Sequence, residues 1–180
     1  QPGAVARQIT RNPGTEGDPD SEWSNRTPQF SPDGRFVTYE AGGKAEDAWY
    51  ALTQVGLANV AGDLESTPAA ALDRNCIDPR FSRDGRFIYF RLEDDRSMVL
   101  ARLRLSDGRV ERLSPAGHVV YEFDVGPGDH TVLIDTTPTQ PPELYALESG
   151  KLRALTRHNA EWLAQVELVP AVPLDFRSHD

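Results

Sequence analysis

The chain has 180 residues, with 19 Lys and Arg against 28 Asp and Glu and a formal net charge of −9. That length encloses one sizeable core, and the acidic excess repels phosphate backbones, which argues against a nucleic-acid partner and fits a well-solvated surface. The single cysteine, Cys76, allows no internal disulfide, and no apolar run approaches the roughly 18 residues of a membrane span. The first residues lack a basic start followed by an apolar block, so no signal peptide is expected. The cytoplasm is the expected compartment, and the periplasm is also compatible with one thiol. Because the sequence begins with Gln1 rather than Met, it is expected to be processed, cut or part of a longer protein.

In chain order, Ala6–Thr10 reads as a short strand ending one unit, and the loop from Asn12 to Ser21 is rich in Gly, Pro and acid. A first unit starts near Trp23, with strands at Thr27–Ser31, Phe36–Ala41, Leu52–Val60 and Thr67–Leu72. Gly42 to Ala48 is a loop. The second unit has strands at Ile77–Ser82, Phe87–Leu92, Met98–Leu105 and Val110–Ser114. In Met98–Leu105, Val99, Ala101, Leu103 and Leu105 share one side and Leu100, Arg102 and Arg104 the other. The third unit has strands at Val119–Val125, Thr131–Thr136, Glu143–Leu147 and Leu152–Thr156, with Gly126 to Asp129 as its first turn.

The units carry an internal repeat. Pro28-Gln29-Phe30-Ser31-Pro32-Asp33-Gly34-Arg35-Phe36 returns 51 residues later as Pro79-Arg80-Phe81-Ser82-Arg83-Asp84-Gly85-Arg86-Phe87. Asp-Gly suits a tight hairpin, because Gly takes a positive φ at little steric cost. Phe123 follows Phe81 by 42 residues, a looser third occurrence. A four-stranded antiparallel unit repeated every 40–50 residues or so is the signature of a propeller blade. The expected fold is therefore all-β: a partial β-propeller of about three four-stranded blades plus a leading strand and an exit linker. A single β-sandwich is the alternative, but it requires no recurring turn phrase. The expected organisation is 1–22 for the end of a preceding blade and a loop, blades at 23–73, 74–116 and 117–157, and a linker with a first new strand at 158–180. Closed propellers take about 4–8 blades, so three blades expose two sheet faces. The chain is expected to belong to a larger polypeptide or to assemble with another copy.

The tail differs from the blades. It carries Pro138-Thr139-Gln140-Pro141-Pro142-Glu143-Leu144-Tyr145, then Leu155-Thr156-Arg157-His158-Asn159, then Trp162-Leu163, and ends Pro173-Leu174-Asp175-Phe176-Arg177-Ser178-His179-Asp180. Asn159 is placed to cap a short helix through Trp162 and Leu163, its side chain accepting a free backbone N–H. Pro170 and Pro173 favour an extended linker, and Leu174–Ser178 reads as a strand without a partner in this chain. The pattern Pro-x-Glu-Leu-Tyr, Leu-Thr-x-x-Asn, short helix, and strand ending Ser-x-Asp resembles the propeller exit of prolyl oligopeptidase-family serine peptidases, the acylaminoacyl-peptidase and dipeptidyl-peptidase-like branches above all. The resemblance covers essentially the whole chain. The Ser-x-Asp-Gly hairpins are shared with TolB-like propellers, whereas the tail is the more specific part. The resemblance implies an α/β-hydrolase domain beginning beyond Asp180.

No catalytic, cofactor-binding or metal-binding residue is assigned. The Gly-x-Ser-x-Gly elbow of a serine hydrolase is absent, and the resemblance places the catalytic Ser, Asp and His outside these residues. His118, His130, His158 and His179 are scattered without metal-ligand spacing and read as solvated loop residues. The acidic run Glu16 to Glu22 lacks a calcium-loop pattern, and Glu93-Asp94-Asp95-Arg96 reads as a solvated edge loop. Cys76 reads as a small buried residue, and Trp23, Trp49 and Trp162 as core or interface packing. The resemblance implies a non-catalytic propeller segment that gates short peptides to a hydrolase domain. Its expected partners are the rest of the same polypeptide and short peptide substrates, with no nucleic acid, membrane or cofactor. The competing readings are a TolB-like binding scaffold without enzymatic activity and a ring closed by two copies.

Overall fold

A computed structural model describes residues 5–10, 26–42, 50–177 and 179. The strands are β1 (Arg26–Phe30), β2 (Phe36–Ala41), β3 (Gln54–Asn59), β4 (Glu65–Ser66), β5 (Cys76–Phe81), β6 (Phe87–Asp94), β7 (Ser97–Arg104), β8 (Val110–Arg112), β9 (Val119–Val125), β10 (Thr131–Thr137), β11 (Gln140–Glu148) and β12 (Lys151–Ala154); one short helix, α1 (Ala160–Leu163), follows. β1 to β4 form one antiparallel sheet in sequence order. β5 to β8 and β9 to β12 each do the same, and a single parallel bridge between Met98 and Val119 joins these two groups at their rim.

The hairpins form where Ser-x-Asp-Gly predicts them, and both copies have one geometry. Phe36 N–H donates to Ser31 Oγ at 2.9 Å, Ser31 Oγ donates to Asp33 Oδ1 at 2.6 Å, and Arg35 N–H donates to the same Oδ1 at 3.0 Å. The second copy repeats the set through Ser82, Asp84, Arg86 and Phe87 at 3.0, 2.7 and 3.0 Å. Gly34 and Gly85 both take φ of +70°. The Arg86 N–H, followed by the Ser82 hydroxyl, holds the Asp84 carboxyl down at about 2.

The sheets stack face to face. Ile88, Phe90 and Leu92 of β6 pack with Val99, Ala101 and Leu103 of β7 against Val55 of the first sheet and Ala69 of the segment that follows it. On the other face, Tyr89 and Leu100 pack with Val120, Phe123 and Leu133 of the third sheet. Alternation in β6 and β7 thus sends successive side chains to two different neighbours, as propeller blades do. Gly56 sits under the Tyr39 ring. A Cβ there would lie 2.6 Å from the ring carbons, so only Gly lets the aromatic lie on the strand.

Three expectations are corrected. Thr67–Leu72 is not a strand: β4 ends at Ser66, and Ala70–Leu72 forms a 3-10 turn closed by Ala70 N–H to Thr67 O and Leu72 N–H to Ala69 O. Pro68 supplies no ladder donor there, and the alanines carry no β-branched bulk. The described residues of the leading segment, 5–10, hold no strand; Arg7 instead donates to the carbonyls of Val60 and Ala61. Residues 174–177 pair with no other strand among the described residues, in keeping with a segment expected to have no partner in this chain. Asn159 occupies the N-cap of α1 but makes no side-chain cap bond. Trp23, Trp49, the acidic run Glu16 to Glu22 and nearly all of the Gly42 to Ala48 loop lie outside the described residues.

Ser82 is fully buried, and its hydroxyl serves one backbone donor and one carboxylate. Ser82→Ala is expected to cost about 1–2 kcal/mol by urea unfolding, the loss expected when a buried donor is orphaned. Gly85→Ala is expected to cost about 1 kcal/mol through its left-handed backbone. Unchanged midpoints in both variants would refute the hairpin account.

Candidate functional site

Residues of the exit segment converge on Glu143. This residue lies near the start of β11, paired with Asp135 of β10 and 4% exposed. Its carboxylate accepts from the Asn159 backbone N–H at 2.8 Å, from Asn159 Nδ2 at 3.0 Å and from the Thr156 hydroxyl. Thr156 Oγ1 in turn accepts from Leu144 N–H at 2.9 Å, and Asn159 Nδ2 also reaches Pro142 O at 3.3 Å. The Asn159 amide is thus turned so that its Nδ2 donates to Glu143 and Pro142, and its oxygen makes no cap bond to α1. The Thr156 hydroxyl, followed by the Asn159 N–H, holds the Glu143 carboxyl at about 2. Charge-assisted bonds of this kind are short and directional. Together they latch the chain to the third sheet at the point where it leaves.

The exit lies on the rim where β7 and β9 begin and β10 ends. A cleft of about 730 Å³ opens on that rim between the second and third sheets, lined by Asp95, Arg96, Arg112, Ser114, Gly117 and Pro138 and flanked by residues 171–174 of the linker. Its wall is the tight turn joining β6 and β7, where Asp94 pairs with Ser97. Asp95 has φ of +43° and Arg96 of +64°. Neither is Gly, so the turn holds two side chains in the left-handed region at a steric cost. Arg112 Nε donates to Asp94 Oδ2 at 2.5 Å, Arg74 lies 3.7 Å from the same carboxylate, and Asn75 Nδ2 donates to Glu93 at 2.8 Å. Arg96 lies 3.3 Å from Asp95 and 3.8 Å from Asp175 of the linker. Glu93 and Asp94 therefore end β6 and Asp95 and Arg96 form a strained turn; Glu93, Asp95 and Arg96 are exposed, as an edge loop would be, and Asp94 is ion-paired.

His118 also departs from the sequence reading. Its Nδ1 lies 2.6 Å from Oδ1 of Asp135, which is 1% exposed. Burial, opposed by His118, pushes the Asp135 carboxyl up from its ordinary value, and its Oδ2 has no hydrogen-bond partner among the described residues. His130, His158 and His179 are exposed. Cys76 is buried, and burial pushes its thiol to about 12. Trp162, 49% exposed, is outside any core of this chain. Among the described residues, no serine or cysteine is hydrogen-bonded to a histidine, no cluster of His, Cys, Asp or Glu could hold a metal ion, and no helix is long and apolar enough to cross a membrane. The arrangement orients a chain exit beside a charged cleft.

The two buried acids respond to pH with opposite sign. Glu143 is depressed, so its contribution is present above its unfolded value near 4.5 and is lost as pH falls through about 2. Asp135 is raised, so its contribution is present below 3.8 and is lost as pH rises through its folded value. Relative to wild type, Glu143→Gln is expected to lower the melting temperature most above pH 4.5, with the difference closing towards pH 2. Asp135→Asn is expected to gain on wild type as pH rises above 4. Parallel profiles for the two variants in melts followed by circular dichroism would contradict this assignment.

No protein-family profile and no curated protein matches the sequence. Solved structures do match. An acylaminoacyl peptidase in complex with Z-Gly-Gly-Phe-chloromethyl ketone aligns with a TM-score of 0.68 at 20% identity, over 82% of this chain and 22% of its own. The β-propeller domain of the trilobed protease from Pyrococcus furiosus, described as having an open velcro topology, aligns at 0.59 and 19% identity over 76% and 41%. A putative TolB from Agrobacterium tumefaciens aligns at 0.53 and 21% identity over 73% and 50%. The chain thus spans about a fifth of the length of the peptidase and at most half of the other two. These likenesses establish the fold: antiparallel sheets arranged as in a β-propeller, similar to the propeller region of acylaminoacyl peptidases and to TolB.

Proposed function

We propose that this chain is a non-catalytic part of the propeller of a prolyl oligopeptidase-family serine peptidase, where it gates the access of short peptides to a hydrolase domain outside these 180 residues. The observation that carries the reading is the exit latch. Glu143, Thr156 and Asn159 belong to the tail pattern that resembles this family, and they converge to fix the departing chain beside a charged rim cleft. The alignment with an acylaminoacyl peptidase, confined to 22% of that enzyme, supports the same reading. The chemistry would be peptide-bond hydrolysis through an acyl-enzyme, with nucleophile, base and orienting carboxylate supplied downstream. The rim contributes a wall that folded proteins cannot pass. A TolB-like scaffold is the second reading, favoured by the Ser-x-Asp-Gly hairpins and the TolB alignment.

Reading the open frame past Asp180 separates the two. Reading one expects about 250 residues containing Gly-x-Ser-x-Gly, then Asp, then His; a frame closing near Asp180 refutes it. In the full-length protein, Glu143→Gln is expected to raise cleavage of a large substrate such as casein several-fold while changing turnover of a short chromogenic peptide less than twofold. Equal effects on both substrates would show that the latch does not gate.

A further inference from the structure

The two joints between the sheets share a plan and differ in the residue that clasps them. At the first joint, Asn75 stands immediately before β5. Its Oδ1 accepts from the Thr53 N–H at 2.8 Å, and the Cys76 N–H donates to Thr53 O at 2.7 Å. At the second joint, His118 stands immediately before β9. Its carbonyl accepts from the Met98 N–H at 3.0 Å, and the neighbouring Gly117 N–H donates to the Ser97 hydroxyl at 2.9 Å. An amide side chain does not titrate, whereas an imidazole does. The His118 ring continues into the third sheet, where Nδ1 lies 2.6 Å from Asp135 Oδ1. The ladders show how far that carboxyl departs from its counterparts. Phe30–Val37, Phe81–Ile88 and Phe123–Leu133 are equivalent pairs. Two residues beyond them stand Tyr39 in the first sheet, Phe90 in the second and Asp135 in the third, and all three are buried. A titratable group thus occupies the place of a core aromatic, where an apolar side chain would hold the sheet as well.

We propose that His118 and Asp135 form a proton-operated clasp on the joint between the second and third sheets, tightened when the imidazole is protonated and relaxed when it is not. The Nδ1–H donates to Asp135 in either state. A proton on Nε2 adds a positive charge beside a carboxylate from which water is excluded, where attraction is stronger than at the surface. Without that proton the carboxylate bears the cost of burial with no cation to offset it, and its Oδ2 has no hydrogen-bond partner among the described residues. The His118 side chain is 29% exposed, so protons reach the ring although Asp135 is shut away. The surrounding groups do not take over this role. On β11, Glu143 pairs with Asp135 in the ladder but is engaged by Thr156 and Asn159, and burial pushes the Tyr145 hydroxyl up, keeping it uncharged. On the β6–β7 turn Arg96 faces Asp95, and on β8 Arg112 faces Asp94. Tyr121 and Glu122 of β9 are exposed. Gly117 and Ser97, which the joint bonds together, both line the rim cleft. The clasp therefore sets how firmly the cleft wall at the β6–β7 turn is held to the third sheet, whether or not a hydrolase domain follows.

Amide hydrogen exchange in the intact protein tests the clasp. It is followed at single amides from about pH 5.5 to 8, the range in which imidazoles change charge, and each rate is divided by its intrinsic value at that pH. The Met98 N–H reports the second joint and the Cys76 N–H the first. Protection of Met98 is expected to fall by about threefold to tenfold as pH rises, the effect of up to one pKa unit of coupling. Protection of Cys76 is expected to stay constant. His118→Asn, which gives the second joint the residue of the first, is expected to flatten the Met98 profile, and Asp135→Asn to do the same. A flat Met98 profile in the wild type overturns the proposal. An equal fall at both amides also overturns it, by showing that pH acts on the whole fold. A slope retained in the variants overturns it by placing the titrating group elsewhere. The comparison of the two amides in the wild type stands even if a variant fails to fold. Because the readout is a backbone amide and not cleavage, failure of the peptidase reading leaves this test intact.

Discussion

The second sheet is buried on both faces, and the arrangement of the whole chain follows from that. Each strand of a sheet alternates its side chains, so a sheet with one wet face alternates apolar with polar. β6 and β7 do not: Ile88, Phe90 and Leu92 face the first sheet while Phe87 and Tyr89 face the third. Burying a large apolar side chain is worth about 1.5–3 kcal/mol, so this sheet carries the greatest share of the packing energy and holds its neighbours in register. Among the described residues, the first and third sheets each have one such neighbour.

The polar bridges between the sheets add direction to that packing. Apolar faces slide over one another at little cost, whereas a hydrogen bond to a specific backbone group does not. Gln29 and Glu40 accept from the second sheet, and Arg80 and Arg91 donate to the third. The sense of the bond reverses from one joint to the next. A carboxylate such as Glu40 and guanidinium groups such as Arg80 and Arg91 cannot exchange roles, whereas the Gln29 amide can turn and donate, so the mismatch that disfavours other neighbours rests on Glu40, Arg80 and Arg91.

Local chemistry was legible in the sequence, and contacts between distant residues were not. Ser31, Asp33 and Gly34 lie within four residues, so their hairpin and its copy at Ser82 could be read directly. The repeat also marks its own variable positions: the two phrases differ only at Gln29/Arg80 and Pro32/Arg83, and the first of these is the bridge between sheets. A repeat keeps what folds the hairpin and varies what meets a neighbour, a signal that was present but unread. The 3-10 turn at Ala70–Leu72 escaped because an alanine-rich run after a two-residue strand has no period to follow. The pairing of His118 with Asp135 joins residues 17 apart across a strand register that no local pattern encodes. Asp95 and Arg96 escaped for the opposite reason, since a tight turn with positive φ is normally announced by Gly or Asn.

The latch fixes where the chain leaves the third sheet. Glu143 is a buried carboxylate that stays ionised because three donors meet it, two of them from Asn159. Ionised partners give short bonds with narrow angular tolerance, so the direction in which the chain leaves the third sheet is fixed more tightly than apolar packing would fix it. Val172, Leu174 and Phe176 beyond it remain 84–86% exposed at every second position, an apolar row that finds no sheet within this chain. The strained Asp95–Arg96 turn stands on the same rim and touches the linker through Asp175. Strain of this kind persists only where surrounding contacts over-determine it, and here those contacts are the ion pairs of Asp94 with Arg112 and Arg74. The rim is thus held by charge at two points, the latch and the turn, while the sheets behind it are held by apolar stacking. That division lets the surface at the exit vary its polar chemistry without disturbing the stack that positions it.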